Sequence, residues 1–257
     1  MPYIKVGMLT DFLVPIPPLP EQQRIVGILD EAFDGIATAK ANAEQNLQNA
    51  RALFESHLQS IFTQRGEGWV VKSLGEIGKV SMCKRIFKEQ TTATGDIPFY
   101  KIGTFGKEAD SFIPGQIYSD YREKYPFPKK GDVLISASGT IGRRVIYDGE
   151  PAYFQDSNIV WIDNDEKQLL NHYLYHFYGA CEWNSTRGAT ISRLYNDNLK
   201  RIEIALPKSL LEQQSIATKL DTLYEETQRL ASLYQRKLAA LDELKKSLLH
   251  QAFSGEL

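Results

Sequence analysis

One stretch of this chain occurs twice, and any fold must accommodate the duplication. Glu21-Gln22-Gln23-Arg24-Ile25-Val26-Gly27-Ile28-Leu29-Asp30 returns as Glu212-Gln213-Gln214-Ser215-Ile216-Ala217-Thr218-Lys219-Leu220-Asp221, a constant offset of 191 positions. The same offset carries Phe33 onto Tyr224, Leu53 onto Leu244 and Phe62 onto Phe253 without a gap. Each copy follows a proline-containing apolar lead-in, Ile16-Pro17-Pro18-Leu19-Pro20 and Ile204-Ala205-Leu206-Pro207, these two aligning with a one-residue shift. Prolines there stop a preceding strand and suit a helix start.

Both copies read as long helices, over 21–65 and 207–257. Spacing by four and three picks out Ile216, Leu220, Leu223, Thr227, Leu230, Tyr234, Lys237, Leu241, Leu244 and Leu248 in the second. The matching first-copy positions are Ile25, Leu29, Ala32, Ile36, Ala39, Ala43, Asn46, Ala50, Leu53 and His57. That is a heptad seam, and its many alanines permit close approach, so the two helices are expected to pack as an antiparallel coiled coil. Asn46 and Lys237 fall at the same repeat position and read as polar interruptions that fix register. At 1.5 Å per residue each helix would be about 60 Å long.

Residues 66–206, between the helices, have a different texture: frequent Gly, Pro, Tyr and Phe, and short apolar runs. They read as one mixed α/β domain, giving an α+β chain overall. Asp132–Ser136 and Asn158–Ile162 read as strands, Leu169–Ala180 and Asn196–Lys200 as helices, and Arg201–Leu206 as a closing strand. Val145-Ile146-Tyr147 and Tyr153-Phe154-Gln155 read as a hairpin around the Asp148-Gly149 turn.

The net charge of −2 gives no general nucleic-acid signal, and within 66–206 the 18 Lys and Arg balance 18 Asp and Glu. Local clusters remain: Lys84-Arg85 with Lys88, Arg122 with Lys124, Lys129-Lys130, Arg143-Arg144, and Arg187 with Arg193. They lie in segments that read as loops and are interleaved with Tyr100, Tyr121, Tyr125 and Tyr195. Such loops suit phosphate and base contacts, but taken alone such clusters are more often solvated surface.

Cys83 and Cys181 are far apart and read as reduced thiols. No signal peptide and no run long enough to span a membrane is found, so the protein reads as cytoplasmic. Asp163 with Asp165-Glu166-Lys167 reads as a charged turn. His172 and His176 share a helix face, but Tyr173 stands where a zinc protease carries its general-base Glu, and the two read as a helix-surface pair. There is no phosphate-binding loop and no amino-methyltransferase motif, so neither a catalytic site nor a cofactor is expected.

Two repeated helices opening with Leu-Pro and Glu-Gln-Gln around one domain resemble the conserved regions and target recognition domain of type I restriction-modification specificity subunits. Gly131-Asp132-Val133-Leu134-Ile135-Ser136-Ala137-Ser138-Gly139-Thr140-Ile141-Gly142-Arg143 is similar to that family's Gly-Asp-(Val/Ile)-Leu segment and glycine-rich loop. Ile97-Pro98-Phe99-Tyr100 and Gly188-Ala189-Thr190 resemble further recurring stretches. The resemblance implies a non-catalytic subunit that reads part of a split target in double-stranded DNA. Methyltransferase subunits would dock on its helices, with restriction subunits joining through them. It further implies that residues 1–20 resemble the end of a missing recognition domain. Two copies associating through their helices would then restore two readers related by a two-fold axis. DNA-contacting candidates are Lys84, Arg85, Tyr100, Lys101, Arg122, Lys124, Ser138, Thr140, Arg143, Arg187, Thr190, Ser192, Arg193 and Asn196. Helix-packing candidates are Ile25, Leu29, Ile36, Leu53, Ile216, Leu220, Leu223, Leu230, Leu241, Leu244 and Leu248. Two other classes stay open on the residues alone: a coiled-coil scaffold whose inserted domain binds a protein, and a free-standing methyltransferase or nuclease.

Overall fold

The computed structural model describes residues 16–63, 66–181, 183, 186–187 and 192–257. The start of the chain and the Gly188-Ala189-Thr190 stretch lie outside the described residues. The chain divides into two compact units, one of 1–54 with 224–257 and one of 55–223.

The first unit is a helix pair, built from the larger parts of α1 (Leu19–Thr63) and α6 (Leu210–Ser254), each 45 residues long, whose 55–63 and 210–223 ends belong to the second unit. The helices run antiparallel within one chain. Lys40 Nζ lies 2.6 Å from Asp242 Oδ1, Arg24 Nη2 donates to the Leu257 carbonyl at 2.6 Å, and the Phe54 and Tyr224 rings meet edge to face at 5.2 Å. Lys245 places its ammonium 4.8 Å from the Phe33 ring centroid, so its aliphatic stem covers apolar surface where a seam residue is due.

The seam differs from a strict heptad. Ile25, Leu29, Ile36, Ala43, Ala50, Leu223, Leu230, Leu241 and Leu248 are buried or half-buried as expected from their spacing. Beyond Ala43, however, the stripe passes through Leu47, Phe54 and Leu58, while Asn46, Leu53 and His57 face solvent. In α6 it passes through Ala231, Leu238 and Leu249, with Lys237 and Leu244 outside. Leu53 is 59% and Leu244 47% exposed. Ile36, Leu47 and Leu58, and Thr227, Leu238 and Leu249, recur every 11 residues, which is 3.67 per turn. A strict seven-residue reading drifts by about 20° per heptad against a straight helix, so it loses the true stripe after three heptads. The expectation that Asn46 and Lys237 interrupt the seam is therefore overturned.

The second unit is the mixed domain. β2 (Lys79–Ser81), β8 (Ile159–Asp163), β5 (Val133–Ser136) and β6 (Arg144–Ile146) form an antiparallel sheet in that order. β4 (Phe112–Ile113), β3 (Ile97–Tyr100) and β7 (Tyr153–Phe154) form a second sheet, in which β7 runs parallel to β3. The expected 145–155 hairpin does not exist: β6 pairs with β5, and β7 belongs to the other sheet. Asp148-Gly149 is thus a bend between sheets rather than a hairpin turn.

Strand alternation explains why β5 and β8 carry unbroken apolar runs. Val133, Ile135, Val160 and Ile162 face one core with Tyr173, Leu174 and Tyr178 of α4 (Asn171–Ala180). Leu134, Ile159 and Trp161 face the other, with Phe99, Tyr153 and Tyr118, the last on α3 (Gly115–Lys124). The sheet is covered on both sides, so neither face needs polar residues.

The Gly-Asp step at the start of β5 is structural. Gly131 holds a φ of +94°, and the Asp132 carboxylate accepts from Lys129 N at 2.8 Å and Asn171 Nδ2 at 3.3 Å. Asn164 bridges Asn171 Oδ1 and the Leu169 carbonyl, completing a buried polar network that seats α4. Burial pushes the Asp132 carboxyl above its ordinary range, and the bond from Lys129 N draws it back. The acidic run after β8 is a turn, as its sequence indicates. Glu166 accepts from Asn171 N at the start of α4, and Asp163 pairs with Lys129 at 3.0 Å.

β1 (Trp69–Ser73) pairs antiparallel with β11 (Glu203–Pro207), joining the domain's entry to its exit. The repeated Glu-Gln-Gln then anchors the domain. Glu212 accepts from Trp69 Nε1 at 3.1 Å, and Gln214 reaches His172 Nδ1 at 3.3 Å. Gln213, wholly buried, accepts from Leu170 N at 2.9 Å and donates to the carbonyls of Gln168 and Pro207, each at 2.8 Å. Ile216, expected in the helix seam, packs instead on the domain's core, and Leu220 is fully buried in the same unit.

Candidate nucleic-acid interface

The two sheets deliver their loops to one end. Pairing of Ser81 with Trp161 and of Ser136 with Ile159 places the exits of β2 and β5 beside the entry of β8. Parallel pairing of Tyr100 with Phe154 sends the segments after β3 and β7 out on one side. Backbone bonds then stitch these exits together. Gln155 N donates to the Tyr100 carbonyl at 3.0 Å, Ala137 N to the Asn158 carbonyl at 2.7 Å, and Leu194 N to the Ala137 carbonyl at 2.8 Å. Side chains add to this: Ile102 N donates to Gln155 Oε1 at 2.9 Å and Ser138 Oγ to Asn158 Oδ1 at 2.8 Å.

The outcome is one contiguous surface made from 84–85, 101–104, 138–140, 155–158 and 193–196. Lys84 is exposed, with its ammonium 4.9 Å from the centre of the Tyr125 ring. Arg85 is exposed and pairs with Asp156 at 2.9 Å. Lys101 pairs with Asp110 at 2.8 Å. Arg193 is half-buried, opposite Ser138 in an isolated bridge, and Nη2 donates to the Ser157 carbonyl at 3.4 Å. Met82, Ser157, Arg193, Tyr195 and Asn196 line a shallow depression there. Tyr195, 56% exposed, and exposed Thr140 stand at its surface. The Lys101–Asp110 pair is exposed on both sides and contributes little to stability, so its cation exchanges readily for a phosphate, whereas the exposed Arg85 pairs with an Asp156 side chain that is only 14% exposed.

Not every candidate keeps a free side chain. Ser138 is buried and its hydroxyl is committed to Asn158. Arg143 Nη1 donates to the Phe105 carbonyl at 2.9 Å, which ties the 101–107 loop to the β5–β6 hairpin. Tyr100 is half-buried and stacks on Phe154 with ring centroids 5.8 Å apart. These three shape the surface from behind. Arg122 and Lys124 are not on a loop but in the last turn of α3. The Arg122 guanidinium lies over the Tyr118 and Phe127 rings, and its side chain lines a different depression with Pro128, Lys129, Lys130 and Gly149. Arg187 and Ser192 sit in the short paired strands β9 (Thr186–Arg187) and β10 (Ser192–Arg193), and Thr190 lies outside the described residues.

The glycine-rich loop has a mechanical explanation. Ser136 Oγ donates to the Thr140 carbonyl at 2.6 Å and accepts from Arg143 N at 2.9 Å, closing the turn on itself. Gly142 holds a φ of +82°, and a Cβ there would lie 2.0 Å from Trp183 Nε1. No other residue fits. The polar run Gln155-Asp156-Ser157-Asn158 was the missed contributor; Ser157 adopts a φ of +60° at its bend. Four polar residues between Phe154 and Ile159 signalled a loop, but the assumed hairpin had absorbed Gln155 into a strand.

The histidine pair also departs from expectation. His176 is only 3% exposed, and both histidines contact Asp221 on α6.

A family model, the type I restriction modification DNA specificity domain, matches residues 66–235. The chain is 51% identical over 212 residues to the Haemophilus influenzae type I restriction enzyme specificity subunit S.HindORF215P, covering 81% of this chain and 54% of that protein. It is 26% identical over 286 residues to the MjaVIII specificity subunit of Methanocaldococcus jannaschii, covering 100% of this chain and 65% of the relative. Its fold matches a chain in a structure concerned with complex assembly and conformational transition of the type I R-M system, with a TM-score of 0.82 at 21% identity, covering 100% of this chain and 65% of that one. It also matches the HsdS subunit of Thermoanaerobacter tengcongensis, with a TM-score of 0.65 at 20% identity, over 100% of this chain and 64% of that one. The chain thus spans between about half and two thirds of the length of these relatives.

Proposed function

The chain belongs to the type I restriction modification DNA specificity family, and from that premise we propose that it reads part of a split target in duplex DNA while partner subunits supply methylation and cleavage. The observation that carries this reading is the stitched set of five strand-end segments, whose exposed groups are Lys84, Arg85, Thr140 and Asn196, with Lys101 and Arg193 half-buried among them. Cations there neutralise phosphates and set register on the duplex, while Arg193 and Asn196, beside the exposed Tyr195, supply the donors that distinguish base edges. The scaffold behind them is buried on both faces, so the segments meet DNA already ordered, and little conformational entropy is lost on binding.

The helix pair serves as spacer and docking surface for methyltransferase subunits, and restriction subunits join through those. Its end near Gln22 supports a seat for a second recognition domain. Gln22 Nε2 donates to the Pro17 carbonyl at 2.7 Å, repeating the bond that Gln213 makes to Pro207. Among the described residues, Gln22 has no bond matching those of Gln213 to Leu170 N and the Gln168 carbonyl. Phe62, packed at 5.2 Å on Tyr173, has its repeat equivalent in Phe253, which is 65% exposed beside Val26 and Ile16. The domain that covers this patch comes from the same polypeptide or from a second copy. The setting is cytoplasmic, and no described helix is long and apolar enough to cross a membrane.

Fluorescence anisotropy of the chain assembled with its methyltransferase partner on target duplex tests the reading role. Arg193→Ala is expected to cost about 1–3 kcal/mol on the target and less on unrelated duplex. Arg85→Ala weakens both and lowers the salt dependence of binding. Unchanged affinity in both variants removes this surface from the contact.

A further inference from the structure

The domain holds a second chemical cluster, away from the loops proposed to read DNA. His172 and His176 stand one turn apart on α4, with ring centroids 5.5 Å apart. Asp221 reaches them from α6, with Oδ2 2.6 Å from His172 Nε2 and Oδ1 2.8 Å from His176 Nε2. The three ligand atoms lie within 4.8 Å of one another. Among the described residues no other group of three His, Cys, Asp or Glu side chains converges in this way. His176 forms the buried floor, while the side chains of His172 and Asp221 are 31% and 43% exposed and leave a mouth open to solvent.

We infer that His172, His176 and Asp221 bind a divalent transition-metal ion, zinc by the chemistry of the donors, which clips α4 of the reading domain to α6. Two imidazoles and a carboxylate suit a borderline ion such as zinc, which prefers four ligands, and the open mouth leaves a position for water. With ligands at about 2.0–2.1 Å in tetrahedral geometry, donor atoms stand roughly 3.3 Å apart. The present nitrogen-to-oxygen separations therefore widen by about half an ångström on binding, within the reach of side-chain torsions. Each histidine ligates through Nε2, so the proton that a neutral imidazole now shares with Asp221 at Nε2 is exchanged through solvent for one on Nδ1 as the ion enters.

Two features of the surroundings support the site. The Gln214 amide already touches His172 Nδ1, and turned by half a rotation it offers its oxygen to the Nδ1 proton, the usual arrangement behind a ligating histidine. His176 is only 3% exposed, so packing fixes its ring with Nε2 toward Asp221, 2.8 Å from Oδ1. The ion's role is structural. Tyr173, at the position of a hydrolytic glutamate, is buried with its hydroxyl donating to the Ala205 carbonyl at 3.0 Å, so it offers no base to a bound water.

The test uses the full chain stripped with chelator and then titrated with Zn²⁺ in a calorimeter and with Co²⁺ in a visible spectrophotometer. The expected result is one equivalent bound, with the intense d–d bands of tetrahedral Co²⁺, and a rise in unfolding midpoint on adding either ion. Asp221→Asn and His172→Ala, the latter at the partly exposed ligand and checked for native helicity, abolish uptake at one equivalent. Gln214→Ala weakens it by roughly tenfold or more, as loss of a partner behind a ligand does. No uptake by the wild-type chain, or uptake unchanged in Asp221→Asn and His172→Ala, overturns the site and leaves a hydrogen-bonded clamp only. DNA affinity is measured separately, so failure of the metal site leaves the reading role standing.

Discussion

Gln213 and Gln22 occupy the same position of the repeat but differ in what they hold, and that difference sets a quantitative expectation. Gln213 is fully buried and makes three bonds, to Leu170 N, the Gln168 carbonyl and the Pro207 carbonyl. Replacing it removes all three and strands backbone groups that are buried at Pro207 and partly buried at Leu170 and Gln168, a loss of about 3 kcal/mol at about 1 kcal/mol per bond. Gln22 is half-buried and makes one bond of this set, to Pro17, so its loss is about 0.5–1 kcal/mol. At about 2–4 °C per kcal/mol for a chain of this size, Gln213→Ala lowers the unfolding midpoint by roughly 6–12 °C and Gln22→Ala by about 1–4 °C. Differential scanning fluorimetry reads both. Gln213→Met, which retains volume but not bonds, must behave like Gln213→Ala. Equal shifts for the two positions, or a Gln213→Met variant as stable as the wild type, refute the claim that this glutamine anchors the domain through its hydrogen bonds.

The seam predicts paired outcomes by circular dichroism and denaturant titration: Leu47→Asp and Leu238→Asp cost about 2 kcal/mol or more by placing a charge in the stripe, whereas Leu53→Asp and Leu244→Asp stay within about 1 kcal/mol. Gly142→Ala collides with Trp183 and strains a left-handed backbone, so stability falls by about 1–3 kcal/mol and target binding weakens; a variant with wild-type stability and affinity contradicts the packing described. The Cys83 thiol is pushed up to about 12 by burial, so at pH 8 it stays protonated and resists iodoacetamide until the chain is unfolded; labelling of the native chain at Cys83, mapped by mass spectrometry, contradicts its burial.

Much of this organisation was legible in the residues. The repeat announced two matching helices around one domain because an offset of 191 residues without a gap admits little else. The seam was visible but mis-phased. Its heptad reading fits Ile25 to Ala43 and then fails at Asn46, because Leu47 and Leu58 continue an 11-residue spacing set by straight-helix geometry. The hairpin around Asp148-Gly149 was a sound local inference that tertiary structure overrode: Tyr153 and Phe154 are more valuable in the aromatic core beside Phe99 than paired with Val145. Of the proposed interface, charge and aromatic clustering named Lys84, Arg85 and Arg193, which the structure gathers at one group of loops, but composition could not separate Arg143 and Ser138, spent on internal bonds, from exposed side chains. The His172–His176–Asp221 cluster was hidden because Asp221 lies in the repeat, far along the chain, and only the docking of α4 on α6 brings it near.

Photo-crosslinking of bromodeoxyuridine-substituted target duplex to the chain, assembled with its methyltransferase partner and followed by peptide mapping, tests the reading surface most directly. Adducts within 84–85, 101–104, 138–140, 155–158 and 193–196 are the predicted result. Adducts confined to the Lys129-Lys130 depression or to the long helices, with these five segments unlabelled, would contradict it.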